Sequence, residues 1–351
     1  VFGTQLQVSG AVHRSHPTLP DQSLDPVSIE GLANPQHTTS RAHCILVRMP
    51  PRPSQIPATL GRGRYRLEEA VGSGGMAFVY RARDTLLDEV CAVKVLQPHV
   101  AGPKARSRFL HEARTMQSLD HENIMRIRDV GDEDDFNYFA MDLARGGSLA
   151  DLVRKHGTRS PGDALQFVFD VLRGLDYAHR AGVVHRDVKP HNMVLTRPVT
   201  PTDPHPPIQI TDFGIARHLQ APEGTRITGT GDTLGTLAYM SPEQRLDPRS
   251  AGPASDVYGV GATLYILVTG RRPFDLAVAH QDASIYTRIP DPVREVVRRA
   301  TVPDARDRYP SARAMAEAIA RAIERVQPGW SAREELDTAF EVSDSNTIVP
   351  P

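Results

Sequence analysis

The sequence predicts an α+β chain of two lobes, a small one built on an antiparallel sheet with a single helix and a larger, helical one. Three observations carry that expectation. Residues 65–143 read as short runs rich in β-branched and aromatic residues, interrupted by one helical stretch. From about residue 160 onward the apolar spacing is helical. A glycine-rich turn, Gly72-Ser73-Gly74-Gly75, sits at the tip of the first predicted hairpin.

Residues 1–60 hold eight prolines, scattered Ser, Thr and His, and no sustained apolar period. Such a composition buries too little surface to offset chain entropy, so a disordered leader is expected there. Met49 stands just ahead of the patterned region. Two readings stay open: translation that starts at Met49, or a genuine leader. Tyr65-Arg66-Leu67-Glu68 then alternates and runs into the glycine-rich turn. Phe78 to Ala82 returns, and Val90 to Leu96 forms a third strand. Lys104 to Leu119 carries Phe109, Ala113 and Met116 at helical spacing, with Glu112 on the same stripe. Ile124–Val130 and Asn137–Leu143 complete the small lobe, 65–143.

The large lobe, 144–326, opens with Ser160-Pro161-Gly162-Asp163. This resembles a capping box with Pro at the first helical position. Leu165, Val168, Leu172 and Leu175 form one stripe of the helix that follows. Further helices are expected over about Asp256–Thr269 and Ser311–Val326, and a loose tail over 327–351.

Composition narrows the function classes. A formal net charge of -1 and a pI near 7.0 give no global field for nucleic acid or an anionic membrane. Two cysteines, Cys44 and Cys91, cannot frame a disulfide scaffold, and neither has metal-like spacing with His. No apolar run is long enough to span a bilayer, and the first residues lack a signal-peptide pattern. A reducing, cytoplasmic location is the expectation.

The chemistry concentrates in His185-Arg186-Asp187-Val188-Lys189-Pro190-His191-Asn192 and Asp212-Phe213-Gly214. Phosphoryl transfer needs a group that orients the attacking hydroxyl, a cation for the moving phosphoryl group, and hard oxygen ligands for Mg²⁺. Asp187, Lys189, and the pair Asn192 and Asp212 supply those types in that order. Together with Ala92-Val93-Lys94 behind the glycine-rich loop, these runs resemble the Hanks-type serine/threonine protein kinases of bacteria.

The resemblance implies a two-lobed protein-kinase fold that transfers the γ-phosphoryl group of ATP to Ser or Thr of proteins, with Mg²⁺ or Mn²⁺. It places Val71, Gly72, Ser73, Gly74, Gly75, Met76 and Ala77 over the phosphates. Lys94 would pair with Glu112 and hold the α/β-phosphates, while Val79, Ala92 and Met141 line the adenine site and Asp142 and Ala144 belong to a hinge whose backbone binds the base. His185 would pack beneath Phe213, beside Gly214. Thr236 would bridge to Asp187 and Lys189, and Glu243 of Ser241-Pro242-Glu243 would pair with Arg308. Asp256 would receive backbone donors from the catalytic loop. Arg186 before Asp187 implies control by a phosphate on the activation segment. Of Thr225, Thr228, Thr230 and Thr233, the resemblance favours Thr228 and Thr230.

Protein substrates and self-association for trans-autophosphorylation are the implied partners. There are departures too. Ala77 stands where the family has a third glycine, Arg197–Pro207 adds five prolines between the metal-ligand candidates, and the stretch from Phe274 to Arg294 is short. Two other readings are weighed: a pseudokinase scaffold, which loss of Lys94, Asp187, Asn192 or Asp212 would favour, and a kinase-like small-molecule phosphotransferase, which would lack the Ser-Pro-Glu segment.

Overall fold

The computed structural model describes residues 56–73, 77–97, 102–133, 136–213, 237–277, 279, 282, 284–327 and 329–344. The predicted hairpins form where alternation called for them. Strands β1 (Thr59–Leu60), β2 (Tyr65–Ser73), β3 (Ala77–Asp84), β4 (Glu89–Leu96), β5 (Ile127–Glu133) and β6 (Phe136–Met141) make one antiparallel sheet in the order β1-β2-β3-β4-β6-β5. Side-chain alternation gives the sheet two apolar faces. On β4, Cys91, Val93 and Val95 join Tyr65, Tyr80 and Tyr138 on the outer face. Ala92 and Leu96 face inward, with Phe139 and Met141, toward helix α1 (Pro103–Gln117).

The fold begins earlier than the sequence suggested. Ile56 and Leu60 are buried against the outer face, and Leu60 pairs with Tyr65. The expected leader of residues 1–60 therefore has to end before residue 56. Two isolated apolar residues carry no period, which is why the sequence did not separate them from the proline-rich stretch.

In the large lobe, Ser148 caps α2 (Leu149–His156) through a reciprocal box with Asp151. Helix α3 (Pro161–Arg180) starts as predicted at Pro161, and Ser160 Oγ accepts from the Asp163 N–H. Only that half of the box forms, because the Asp163 carboxylate turns instead to Arg159 and His205. Strands β7 (Gly147–Ser148), β8 (Met193–Leu195) and β9 (Ile208–Ile210) form a small antiparallel sheet. Ile210 exchanges backbone hydrogen bonds with Asn123 and Met125, which ties β9 to the segment after α1.

Helices α4 (Pro242–Leu246), α5 (Pro253–Thr269), α6 (Ser284–Thr287), α7 (Val293–Ala300) and α8 (Ala312–Val326) follow. Twelve of the seventeen residues of α5 are buried, which accounts for its apolar sequence on every face. Gly270 ends it in the left-handed conformation at φ 68°. The short chain between Phe274 and Arg294 holds only a 3₁₀ turn and α6 as regular structure among the described residues.

One expectation is corrected at the C-terminus. The tail expected to be loose over 327–351 contains helix α9 (Ala332–Asp344), in which Ala332, Ala339 and Phe340 are buried. Trp330 sets its edge against Phe169 of α3, ring centroids 6.0 Å apart, and the Arg313 guanidinium of α8 lies over the Phe340 ring. The apolar positions are too sparse for a periodic signal, so the helix is held by docking on α3 and α8 rather than by propensity.

Candidate active site

The catalytic-loop run leaves α3 and bends sharply before β8. Arg186 adopts φ 67° and Asp212 adopts φ 58°, left-handed conformations that non-glycine residues enter at a cost of about 1–3 kcal/mol each. The bend at Arg186 is held by one buried carboxylate. Asp256 of α5 accepts the His185 N–H through Oδ2 (2.9 Å) and the Arg186 N–H through Oδ1 (2.8 Å), and its Oδ2 also meets His179 Nε2 at 2.8 Å. Gly259, one turn on, lets α5 approach this loop, since a Cβ there would lie 2.7 Å from Val188 O and Cβ. Gln244 of α4 holds the other side, donating Nε2–H to Arg186 O at 2.9 Å.

His185 is fully buried, with its ring 4.6 Å from that of Phe213. Its Nδ1 accepts the Asp187 N–H (3.1 Å) while Nε2 faces Thr211 O (3.1 Å). That pair of contacts suits one neutral tautomer, with the proton on Nε2. Burial pushes its pKa below the ordinary histidine value, which agrees with this assignment.

Two described donors reach Asp187. Lys189 Nζ lies 2.9 Å from its Oδ2, and Asn192 Nδ2 donates to both its Oδ2 (3.1 Å) and its backbone O (2.9 Å). With the Asn192 N–H groups turned to Asp187, the amide oxygen is the end left to meet a cation. Asp187 and Lys189 therefore stand side by side, as an acceptor and a cation must for in-line transfer.

Lys94 connects the two lobes. It lies on β4 opposite Phe139, with Nζ 5.5 Å from that ring centroid, in surroundings that would reject an unpaired ammonium. Two carboxylates compensate it: Asp212 Oδ1 at 2.8 Å and Glu112 Oε1 at 3.4 Å. The pairing with Glu112 was expected, but the tighter contact to Asp212 was not, because no sequence spacing relates residues 94 and 212. Burial favours a neutral Lys94, yet Asp212 and Glu112 outweigh it and raise its pKa. Burial likewise opposes ionisation of Asp212, and Lys94 overrides it to hold that carboxyl below the ordinary range. Glu112 goes the other way, raised by desolvation that Lys94 does not fully offset.

Of the residues expected around the adenine, Val79, Ala92 and Met141 lie on β3, β4 and β6 beside Lys94. Ala92 and Met141 are cross-strand partners, Val79 lies opposite Lys94, and Val79 packs on the core. Asp142 donates its amide N–H to Arg126 O, and its carboxylate is gripped by Arg128 Nε at 2.6 Å. Val71, Gly72 and Ser73 end β2, with Gly72 opposite Val79. Ala77 opens β3 with its methyl buried in the core. Gly74, Gly75, Met76, Gly214, Thr225, Thr228, Thr230, Thr233 and Thr236 lie outside the described residues, as do Cys44 and Met49.

Below the cleft, Glu243 and Arg308 form a two-pronged pair at 2.7 and 2.8 Å, with the Arg308 side chain wholly buried. Three more of the arginine's bonds go to the carbonyls of Val302, Ala254 and Pro303. Ser255 Oγ adds a bond to Glu243. Burial works against ionisation of Glu243, but Arg308 wins and brings its pKa down to about 2. His179, Thr211, Gln244 and Arg128 were not singled out from the sequence. Thr211 and Gln244 merely adjoin motif residues, which says nothing of side-chain partners, and no motif marks His179 or Arg128.

The description of the protein kinase domain matches residues 65–325. The chain belongs to the protein kinase domain family. It is 36% identical over 275 residues to the serine/threonine-protein kinase PrkC of Bacillus subtilis, covering 75% of this chain and 41% of that protein. It is 37% identical over 284 residues to the serine/threonine-protein kinase PknL of Mycobacterium tuberculosis, covering 76% and 68%. Among solved structures, the PknI kinase domain of Mycobacterium tuberculosis superposes with a TM-score of 0.57 at 27% identity, covering 76% of this chain and 99% of that one. The chain thus spans about two fifths of PrkC, and the kinase domain accounts for most of what the two share. No described helix of this kinase is long and apolar enough to cross a membrane.

Proposed function

We propose that this chain is a serine/threonine protein kinase that transfers the γ-phosphoryl group of ATP to Ser and Thr hydroxyls of proteins, with catalysis confined to residues 65–326. The observation that carries the proposal is the convergence of Lys94, Glu112 and Asp212 with Asp187, Lys189 and Asn192 at the junction of strands and helices. Asp187 orients the acceptor hydroxyl and takes its proton. Lys189 neutralises charge on the moving phosphoryl group, and Lys94 holds the α/β-phosphates while Glu112 fixes the lysine.

Asn192 and Asp212 are the residues that would hold Mg²⁺ or Mn²⁺. A carboxylate that is 42% exposed, together with an amide oxygen not engaged by Asp187, suits a hard ion that keeps waters and phosphate oxygens among its ligands. When bound, such an ion screens the phosphate charges. The relatives' names, serine/threonine-protein kinases, support the acceptor class. The buried Arg186 Nε has no hydrogen-bond partner among the described residues, which supports an anionic partner such as a phosphothreonine at 228 or 230. The complete set Lys94, Asp187, Asn192 and Asp212 gives a scaffold-only reading no foothold. A cytoplasmic site of action, and self-association for trans-autophosphorylation, are part of the same proposal and rest on ATP as donor and the acceptors in the chain itself.

The test is incubation with labelled ATP and Mg²⁺ or Mn²⁺, followed by phosphosite mapping and a comparison of protein substrate with small alcohols. Label on Ser and Thr is expected. Lys94→Met and Asp187→Asn should each lower turnover by about a thousandfold or more, since each acts on the transition state. Wild-type turnover in Asp187→Asn, or preferential labelling of the alcohols, would overturn the assignment.

A further inference from the structure

A pocket of about 310 Å³ lies on the large lobe, away from the nucleotide cleft, lined by Pro242, Arg245, Leu246, Tyr258, Leu276 and Pro303 together with Thr301. Its walls are apolar, yet two polar groups there have no protein partner among the described residues. The Tyr258 side chain is fully buried, and its hydroxyl makes no hydrogen bond to any described residue. A buried donor without an acceptor is uncommon enough in native proteins to require an occupant or an explanation. Arg245 is exposed at the rim and has no ion pair among the described residues. The rim also carries Leu246, 89% exposed, and Phe274, two residues before Leu276, is 40% exposed.

An enclosed small molecule would satisfy the hydroxyl but leave this apolar rim in water. A chain that enters the pocket and continues over Leu246 covers both. The charge is equally selective: a cation at the mouth and a donor inside both seek a carboxylate. The pocket is wired to the catalytic loop as well. Its floor is α4, whose Gln244 donates to Arg186 O, and Arg308 lies over the Tyr258 ring at 5.1 Å.

We propose that this pocket is a docking site for a protein substrate segment in which a bulky apolar residue is followed by Glu or Asp. The apolar side chain fills the space between Leu246, Leu276 and Pro303, and the carboxylate accepts from Tyr258 and Arg245. Docking raises the local concentration of the acceptor hydroxyl without any new contact at the reacting atoms. The proposal rests on the kinase reading above.

The test uses the full chain and one Ser/Thr acceptor peptide, alone or extended through a Gly-Ser spacer by Leu-Glu, Leu-Gln or Leu-Lys. The Leu-Glu extension should lower KM about tenfold or more, with kcat unchanged, while Leu-Lys gives no gain. Leu246→Ser and Arg245→Glu should each abolish the gain and leave the unextended peptide unaffected. Tyr258→Phe should shrink the Leu-Glu gain several-fold while Leu-Glu stays ahead of Leu-Gln, because Arg245 remains. Fluorescence anisotropy of a labelled Leu-Glu peptide without ATP gives the same ranking independently of turnover. Equal KM for all peptides, or a Leu-Glu gain that survives Leu246→Ser and Arg245→Glu, overturns the docking site. Absence of phosphorylation of the unextended peptide instead overturns the kinase reading.

Discussion

At the scale of single residues, charge compensation decides most of the outcomes. Arg308 is buried without exposure and leans on Glu243 for its countercharge. Glu243→Ala should therefore destabilise the protein by about 3–5 kcal/mol in denaturant unfolding near neutral pH, because it strands a buried cation. The pH dependence has a definite sign. The pKa of Glu243 is about 2 in the folded chain against an ordinary value of 4.5, so its contribution is complete above that ordinary value and is lost as the pH falls toward about 2. That contribution is on the order of 3 kcal/mol. The stability gap between wild type and Glu243→Gln should accordingly narrow on acidification. A gap that stays constant on acidification would remove the ion pair as its source. Gly259 gives a second test. A methyl at this position meets Val188 of the catalytic loop, so Gly259→Ala should lower kcat while the glycine-rich side of the cleft keeps its affinity for nucleotide, measured by fluorescent-nucleotide binding.

At the scale of elements, α9 separates stability from activity. Phe340 is only 2% exposed and Trp330 abuts Phe169, so Phe340→Ala should lower stability by about 2–4 kcal/mol and speed hydrogen exchange over 332–344. Turnover should stay near wild type, since the helix docks on α3 and α8. Loss of activity in step with stability would show the helix to be part of the catalytic unit. At the other end, a chain starting at Met49 should fold and turn over like the full chain, whereas one starting at Arg62 loses Ile56 and Leu60 from the sheet's outer face and should melt earlier. Equal melting of the two would mean those side chains contribute nothing. These two ends are also where the sequence was least legible. Strands β2 to β6 and helices α1, α3, α5 and α8 announced themselves through period, caps and glycine stops, whereas the two- and three-residue strands β1, β7, β8 and β9 are too short to show a period. Ile56, Leu60, Trp330 and Phe340 act one at a time across large sequence separations, and a period cannot report that.

At the scale of the whole molecule, the site was legible as a set of residue types in order, and less so as a set of partners. Asp187, Lys189 and Asn192 are close in sequence and their juxtaposition followed. The clasp of Lys94 by Asp212 spans 118 residues, and the threefold use of Asp256 depends on how α5 lies on α3. The proposed activation-segment control belongs to this scale too. Thr228→Ala/Thr230→Ala should phosphorylate an added substrate several-fold more slowly than fully phosphorylated wild type, because a phosphothreonine of charge about −1.5 to −2 would no longer reach Arg186. Equal rates would exclude these positions.

The carboxylate of Asp256 also has a bearing on how the molecule acquires its shape. His185 and Arg186 wait for an acceptor 71 and 70 residues further along the chain, and without it the left-handed Arg186 has no reason to persist. A nascent chain that has emerged only as far as β9 can build every strand of the small lobe and the whole of α3. It cannot yet hold the bend. Catalytic geometry is thus a late product of synthesis and of refolding, gained when the helix bearing Asp256 docks, because contacts between distant residues form after local ones. Recovery of activity after dilution from denaturant should lag behind recovery of the β signal, and a fragment ending before Pro253 should gain sheet structure without ever becoming active.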